Sequence, residues 1–421
     1  MNRAFKPADI LLAKTTSMKK WAVVACDQYT SEPEYWDKTY GLVGEDLSTL
    51  HLILPEIYLN KSDVEKRISN INKTMNSYLS DGVFEEYKNA FFYVERKQSN
   101  GILRQGIIGM IDLEEYDYSR GSTSLVRATE ATVLERIPPR IKVRENASIE
   151  LPHIMILIDD EDKTVIEPIG EKTDSMKLLY DTDLMQNGGS IKGYLVNESD
   201  IETIEKAIDE LGEAQAFEKK YGIKNTSPLV FAMGDGNHSL ATAKAFYEEL
   251  KAKNPDKDLS HHPARYALVE VVNLHSKALE FEAIHRIVIN VDTGDLLDKM
   301  KEKLLLSDEG NDEEQSFIVV LNGEEKKYYI KNPTSNLTVG SLQSFLDEYL
   351  SDSGAEIDYI HGADTLKRLV DSDNKIGFIL PDMSKSELFP TVIKDGVLPR
   401  KTFSMGHAED KRYYIECRKI K

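Results

Sequence analysis

The chain has 421 residues, 41% of them hydrophobic, with 24 Gly, 14 Pro and two Cys. Gly plus Pro lies far below the roughly 25–30% of a low-complexity chain, so a packed globular protein of two or three domains, or one large α/β body with insertions, is expected. The 53 Lys and Arg against 72 Asp and Glu leave a net charge of −19, which opposes binding of nucleic acid or anionic lipid by the surface as a whole.

The opening MNRAFKPADILLAKTTSMKKW has no hydrophobic signal region, and no stretch approaches the ~18 uninterrupted apolar residues of a membrane helix; this reads as a cytoplasmic protein without a membrane partner. Residues 21–25 form the first strand-like run. Cys26, Asp27 and Gln28 follow it, where a strand end can present side chains to a cleft, and Asp27 is the candidate there. Cys26 and Cys417 lack CxxC or Cys/His ligand spacing and read as reduced thiols. A helix-period stretch at 63–78 precedes strand-like runs at 91–94 and 107–111.

Residues 120–146 carry six basic and three acidic residues, a local excess of positive charge. Such an island can form an anion pocket, or its arginines can pair with the surplus carboxylates. Within it, Pro138 and Pro139 end any helix holding Val133, Leu134 and Ile137, which predicts an extended segment for the arginines after them, Arg140 and Arg144. Arg127 and Glu130, at i and i+3, would share a helix face as a surface pair or a site pair. An arginine-flanked carboxylate can serve as a general base, and arginine suits bidentate phosphate binding.

Beyond a strand-like run at 154–158 and a helical stretch at 200–221 stands PLVFAMGDGNHSLATAKAFYEEL, residues 228–250. It predicts a strand at 229–233, a tight polar turn and a helix with Leu240, Ala243, Tyr247 and Leu250 on one stripe. Strand, glycine turn and helix aim backbone N–H groups and the positive helix end at an anion. Asp235 adds a carboxylate for metal or proton transfer, and His238 an imidazole that titrates near neutrality. The segment is not a Walker A loop and lacks the third glycine of a dinucleotide fingerprint. Asp235 or Asn237 capping an ordinary helix is the competing reading.

His261-His262-Pro263 reads as a polar loop, and 267–272 as a strand. In AIHRIVIN, strand alternation puts His285 on one face and Arg286 on the other, so one of them needs a buried partner if both faces are covered. Helix-period stretches at 296–305 and 339–350 and strand-like runs at 317–321 and 377–380 complete the alternation. The acidic seam SDEGNDEEQS, residues 307–316, is a surface loop or the sign of a domain boundary near 292, giving a main domain over 1–292 and a C-terminal α/β region over 293–421. LPRKTFSMGH then gathers Arg400, Lys401, Thr402 and His407 in a second basic island, 395–421, with seven basic and four acidic residues. The mixture of strands and helices argues for an α/β or α+β fold, a mixed sheet flanked by helices.

Four segments, RATEATVLERIPPRIKVRENASIELPHI, FAMGDGNHS, AIHRIV and LPRKTF, together resemble a widespread prokaryotic family known as a domain of unknown function, over essentially the whole chain. That family is distantly similar to the ParB and sulfiredoxin-like superfamily, which includes nucleotide-dependent kinases of free serine with a comparable loop. The resemblance implies a core of that type with large insertions and a C-terminal extension, nucleotide phosphates at Gly234, Asp235, Gly236, Asn237 and His238, and a small amino-acid-like substrate. Where the sulfiredoxin loop has its reactive cysteine this chain has Asn237, and where many family members continue with arginine it has Ser239.

The expected function is a nucleotide-dependent phosphotransferase acting on a small hydroxyl metabolite, with serine and phosphoserine as the suggested pair. ATP or ADP would be bound with Mg²⁺. Glu130, Asp235 and His238 are the expected catalytic groups, with Asp235 also the metal ligand. Gly234, Gly236, Asn237, Ser239, Arg127, Arg140, Arg286 and Lys401 are expected to bind phosphate. The alternative is a nucleotide or metabolite sensor without turnover. A DNA-associated role by analogy with ParB is opposed by the −19 charge and by the lack of a helix-turn-helix pattern, and the oligomeric state is not written in the sequence.

Overall fold

A computed structural model describes residues 3–421 apart from Pro152, Asn225 and Asp352. The chain forms two compact units. The first takes the described residues up to Ala128 together with Thr132–Leu279 and Gly406–Lys421; the second takes Thr129–Ala131 and Glu280–Met405. The acidic run 307–316 is a loop inside the second unit, between strands Leu306–Ser307 and Ser316–Leu321.

The first unit is built on a mixed sheet that has ten strands among the described residues. Their order is Lys177–Asp183, Ser190–Leu195, Phe92–Lys97, Leu103–Asp112, Tyr266–Asn273, Met155–Ile158, Phe231–Asp235, Val126–Arg127 and Tyr116–Asp117, with Phe5–Lys6 paired to Leu103–Asp112. Met155–Ile158 runs parallel to Tyr266–Asn273 but antiparallel to Phe231–Asp235. All four residues of Met155–Ile158 are buried, as an unbroken apolar run requires when both sheet faces are covered.

Alternation along the strands divides their side chains between two cores. Phe92, Val94 and Leu268 pack with Trp21, Trp36 and the helix Val64–Ser80, which contributes Ile68, Ile71 and Met75. Tyr93, Val269 and Val271 pack with Leu240, Ala243 and Tyr247 of the helix Asn237–Lys253. The fold class is therefore mixed α/β, with a large mixed sheet and helices against it. Among the described residues no helix is long and apolar enough to cross a membrane.

Several local expectations change. Pro138 and Pro139 begin a helix, Ile137–Glu145, instead of ending one. In the first turn proline loses no intrahelical hydrogen bond and its fixed φ suits the helix, so Arg140, Lys142 and Arg144 are helical and not extended. Arg127 and Glu130 do not share a helix face. Arg127 closes the strand Val126–Arg127, and Glu130 forms an isolated parallel bridge with Leu398. The stretch 200–221 is two helices, Glu198–Leu211 and Ala214–Tyr221, separated at Gly212 and Glu213. Trp21 ends the short helix Met18–Trp21, which leaves only Val23–Val24 as strand.

Residues 406–421 are stitched into the first unit. Tyr413–Tyr414 pairs with Val23–Val24, Arg418–Lys419 pairs with Ile149–Glu150, and Trp21 Nε1 donates to the Ile415 carbonyl at 2.9 Å. The stitching includes buried charge. Glu270 lies 3.3 Å from both Arg104 Nε and Arg412 Nε, Arg412 also reaches Glu416 at 2.7 Å, and Glu150 takes Arg144 at 2.6 Å and Arg418 at 2.9 Å. Much of the two basic islands is thus matched to carboxylates.

The second unit has a seven-stranded sheet among its described residues, in the order Leu306–Ser307, Glu324–Ile330, Ser316–Leu321, Lys375–Ile379, Phe281–Ile289 and Glu356–His361, with Phe403–Met405 also paired to Phe281–Ile289. Both faces of Phe281–Ile289 are covered. His285 Nδ1 accepts from the Leu380 N–H at 3.3 Å, a structural bond. Arg286 is fully buried and donates to Gln343 Oε1 at 3.1 Å and to the Ile284 and Arg400 carbonyls. Burial lowers its guanidinium to about 10.

Candidate functional site

The turn between Phe231–Asp235 and Asn237–Lys253 has the strand, turn and helix geometry written in GDGNHS. Gly236 caps the helix at φ 80°, a left-handed conformation that glycine adopts without steric cost. A Cβ there would meet Ile154 Cα at 3.1 Å, so the turn lies directly on the neighbouring chain. Among the described residues no side chain caps the helix; the Gly236 N–H is held by its neighbour Asp235 Oδ1 at 3.0 Å. A helix start of this kind turns its first N–H groups and its positive end towards an anion. Asn237 Oδ1 is buried with no hydrogen-bond partner among the described residues.

Strand register brings further groups to the turn. Met155 pairs with Asp235, so His153, two residues earlier, lies beside Gly236, whose Cβ would be 3.6 Å from His153 Cδ2. The imidazole is buried. Nε2 lies 3.4 Å from Asp27 Oδ2 and 3.4 Å from Ser239 Oγ, and Nδ1 lies 2.8 Å from the Tyr414 hydroxyl. The Cys26 N–H donates to the same hydroxyl at 3.1 Å, which fixes Tyr414 between the Asp27 segment and His153. Lys411 Nζ lies 3.3 Å from Asp235 Oδ2. Two carboxylates and two bases thus alternate beside the helix start.

Burial would make the His153 imidazole neutral, but the Asp27 carboxylate, helped by Asp235 and Glu56, outweighs it and raises the imidazole above its ordinary value. Burial would likewise raise Asp27, but the His153 charge, hydrogen bonds from His153 and Gln28, and the Lys411 charge hold its carboxyl well below the usual carboxylate range. The two shifts favour the imidazolium facing the carboxylate. The pair is not a nucleophile relay of the Ser-His-Asp kind, because carboxylate and hydroxyl approach the same nitrogen. Burial and the neighbouring carboxylates Asp27 and Glu56 push the Cys26 thiol up, so it stays a thiol.

A cavity of about 160 Å³ opens beside the turn, lined in part by Cys26, Arg140, His153, Ser239, Thr242 and Tyr414. Arg140 pairs with Glu56 there. Of the residues expected from the sequence, Gly234 to Ser239 lie on the turn and Arg140 on the cavity wall. Arg127 is committed elsewhere, donating to the carbonyls of Ser124 at 2.8 Å, Ser227 at 2.8 Å and Pro228 at 3.3 Å, at the start and not the end of the strand carrying Asp235. Glu130, Arg286 and Lys401 belong to the second unit, where Lys401 is exposed. His153, Lys411 and Tyr414 escaped sequence reasoning. A histidine directly before a buried strand was the available signal for the first; nothing in the local pattern marks the other two.

For Mg²⁺, Asp27 and Asp235 supply the hard oxygen donors that such an ion takes one or two of, with phosphate oxygens and water completing its shell. The donor chemistry therefore fits, with Asp235 on the turn itself. Among the described residues Asp159, Glu161 and His275 form a separate group of potential metal ligands, away from the turn in sequence, with Lys220 3.0 Å from Asp159.

Solved structures resemble the chain at low identity. A conserved hypothetical protein from Pyrococcus furiosus matches with 12% identity and a TM-score of 0.36, covering 73% of this chain and 93% of its own. A free serine kinase in complex with AMP matches with 13% identity and a TM-score of 0.38, covering 74% and 91%. SbnI with a C-terminal truncation, from Staphylococcus aureus, matches with 11% identity and a TM-score of 0.36, covering 73% and 82%. Among curated proteins none matches the chain in sequence. Residues 6–349 match the family described as Protein of unknown function (DUF1015), and the chain belongs to that family.

Proposed function

We propose that the chain is a nucleotide-dependent phosphotransferase that moves a phosphoryl group between a nucleotide, ATP or ADP, and a small hydroxyl metabolite, with serine and phosphoserine the first pair to test. The observation that carries this reading is the left-handed Gly236 opening a helix beside the Asp27, His153, Asp235 and Lys411 cluster. Phosphoryl transfer asks chiefly for positioned donors and positive charge around the moving group. First-turn N–H groups with Gly234, Gly236, Asn237 and Ser239 would hold the phosphate. His153 as imidazolium and Lys411 would face the developing negative charge, and Asp235 would orient the phosphate and accept the hydroxyl proton. Mg²⁺, when bound, would screen the phosphates, with Asp235 its ligand from this chain. Glu130, the base suggested by the sequence, and His238 enter the test as variants.

The chain is incubated with Mg²⁺, ATP or ADP, and serine or phosphoserine, and phosphate movement is followed by phosphorus NMR. Transfer is expected, and Asp235→Asn is expected to slow it about a hundredfold. No movement in either direction across a panel of hydroxyl metabolites would overturn the reading. One observation favours a sensor: both carboxylates at the turn already face a cation. Saturable nucleotide binding without transfer, unchanged in Glu130→Gln and His238→Ala, would decide for it.

A further inference from the structure

The cavity beside the turn is larger than a phosphate site needs. Its volume is about 160 Å³, and a dry apolar cavity of about 150 Å³ holds a benzene ring. Most of its lining is aliphatic, with Leu52, Leu54, Met75, Val143, Ile149 and Leu151 among the wall residues. Two other lining residues, His153 and Ser239, belong also to the cluster at the helix start, so cavity and turn share a wall. Arg140 and Arg144 line it too, but each is neutralised by a carboxylate, Glu56 and Glu150. Arg144 Nε is buried with no hydrogen-bond acceptor among the described residues, which leaves one donor for a polar atom of a ligand.

We infer that this cavity receives a ring-sized apolar body of the phosphoryl acceptor, or of its phosphorylated product, with the charged end at the Gly234 to Ser239 turn. The inference rests on the phosphate reading of the turn and departs from serine, whose hydroxymethyl side chain has nothing to bury against aliphatic walls. The substrate class is an aromatic or branched aliphatic hydroxyl compound.

Three probes separate the parts: phenyl phosphate carries ring and anion, methyl phosphate the anion alone, and phenol the ring alone. Their affinities for the full chain are measured by NMR titration. Phenyl phosphate is expected to bind about tenfold more tightly than methyl phosphate. Ala147→Phe, which fills the cavity from its wall, should bring that ratio close to one; if this variant does not fold, Leu151→Trp fills the cavity from another position. Equal affinity of the two esters overturns the inference and leaves the phosphate reading standing. Binding of phenol with no gain from the phosphate group overturns the phosphate reading, and with it the placement of the charged end. No binding of any probe overturns both. Adenosine is expected not to displace phenyl phosphate; displacement would give the cavity to the nucleoside and overturn the acceptor assignment.

Discussion

His153 is a buried imidazole whose neighbours favour its charged form, and its pH behaviour follows from that. Its value is raised in the folded chain, so its contribution to stability is fully present below about pH 6.5 and is lost as pH rises through the folded value. Asp27 is depressed, so its contribution is fully present above about pH 4 and is lost as pH falls through the folded value. The pair therefore strengthens the fold most between about pH 4 and 6.5. Asp27→Asn removes the group that outweighs burial, and the His153 imidazole should then titrate below its ordinary value. A carbon–proton NMR titration of the histidine ring signals checks this, and a His153 value unmoved by the substitution would refute the electrostatic account. The thermal midpoint difference between Asp27→Asn and the unaltered chain should also be largest inside that window. Asp27 was legible as a residue at a strand end. Its partners were not: His153 and Tyr414 stand 261 positions apart, and pairing between distant segments, that of Tyr413–Tyr414 with Val23–Val24 among it, brings them to Asp27.

At the scale of elements, the loop was the most legible feature because its information is local. An apolar run, two glycines and a helical stripe fall within one short stretch and dictate strand, turn and helix without help from the rest of the chain. Gly236→Ala tests the backbone requirement. A left-handed residue with a Cβ costs about 1–2 kcal/mol, and the new atom would press on Ile154 Cα. A fall in thermal midpoint is expected, together with loss of any phosphate affinity at the helix start; an unchanged midpoint would show that the turn does not need glycine. The proline pair was misread for a reason equally local. Proline ends a helix that precedes it and starts one that follows, and Pro138-Pro139 is consistent with both until the helix Ile137–Glu145 is seen against Asn237–Lys253.

For the molecule as a whole, the net charge of −19 conceals a buried economy of charge. Arg412 lies between Glu270 and Glu416, all three nearly inaccessible to solvent. Arg412→Leu would leave both carboxylates short of a cation in the interior and should destabilise the first unit by about 3–5 kcal/mol. Trp21 and Trp36 are the two tryptophans of the chain and both belong to that unit, so urea unfolding followed by tryptophan fluorescence reports it alone. A midpoint unchanged by the substitution would contradict the assignment. The sequence revealed the two basic islands but not their use, because pairing across distant segments leaves no periodic trace. The same stitching has a consequence for synthesis. On the ribosome, residues 280–405 emerge before 406–421, which carry strand Tyr413–Tyr414 and the second cation of Glu270 and of Glu150. The first unit must therefore wait, with strand Val23–Val24 lacking its partner and with Glu270 and Glu150 each holding one of their two arginines, until all of the second unit's chain has been made, and a holding chaperone would find its exposed surface during that interval.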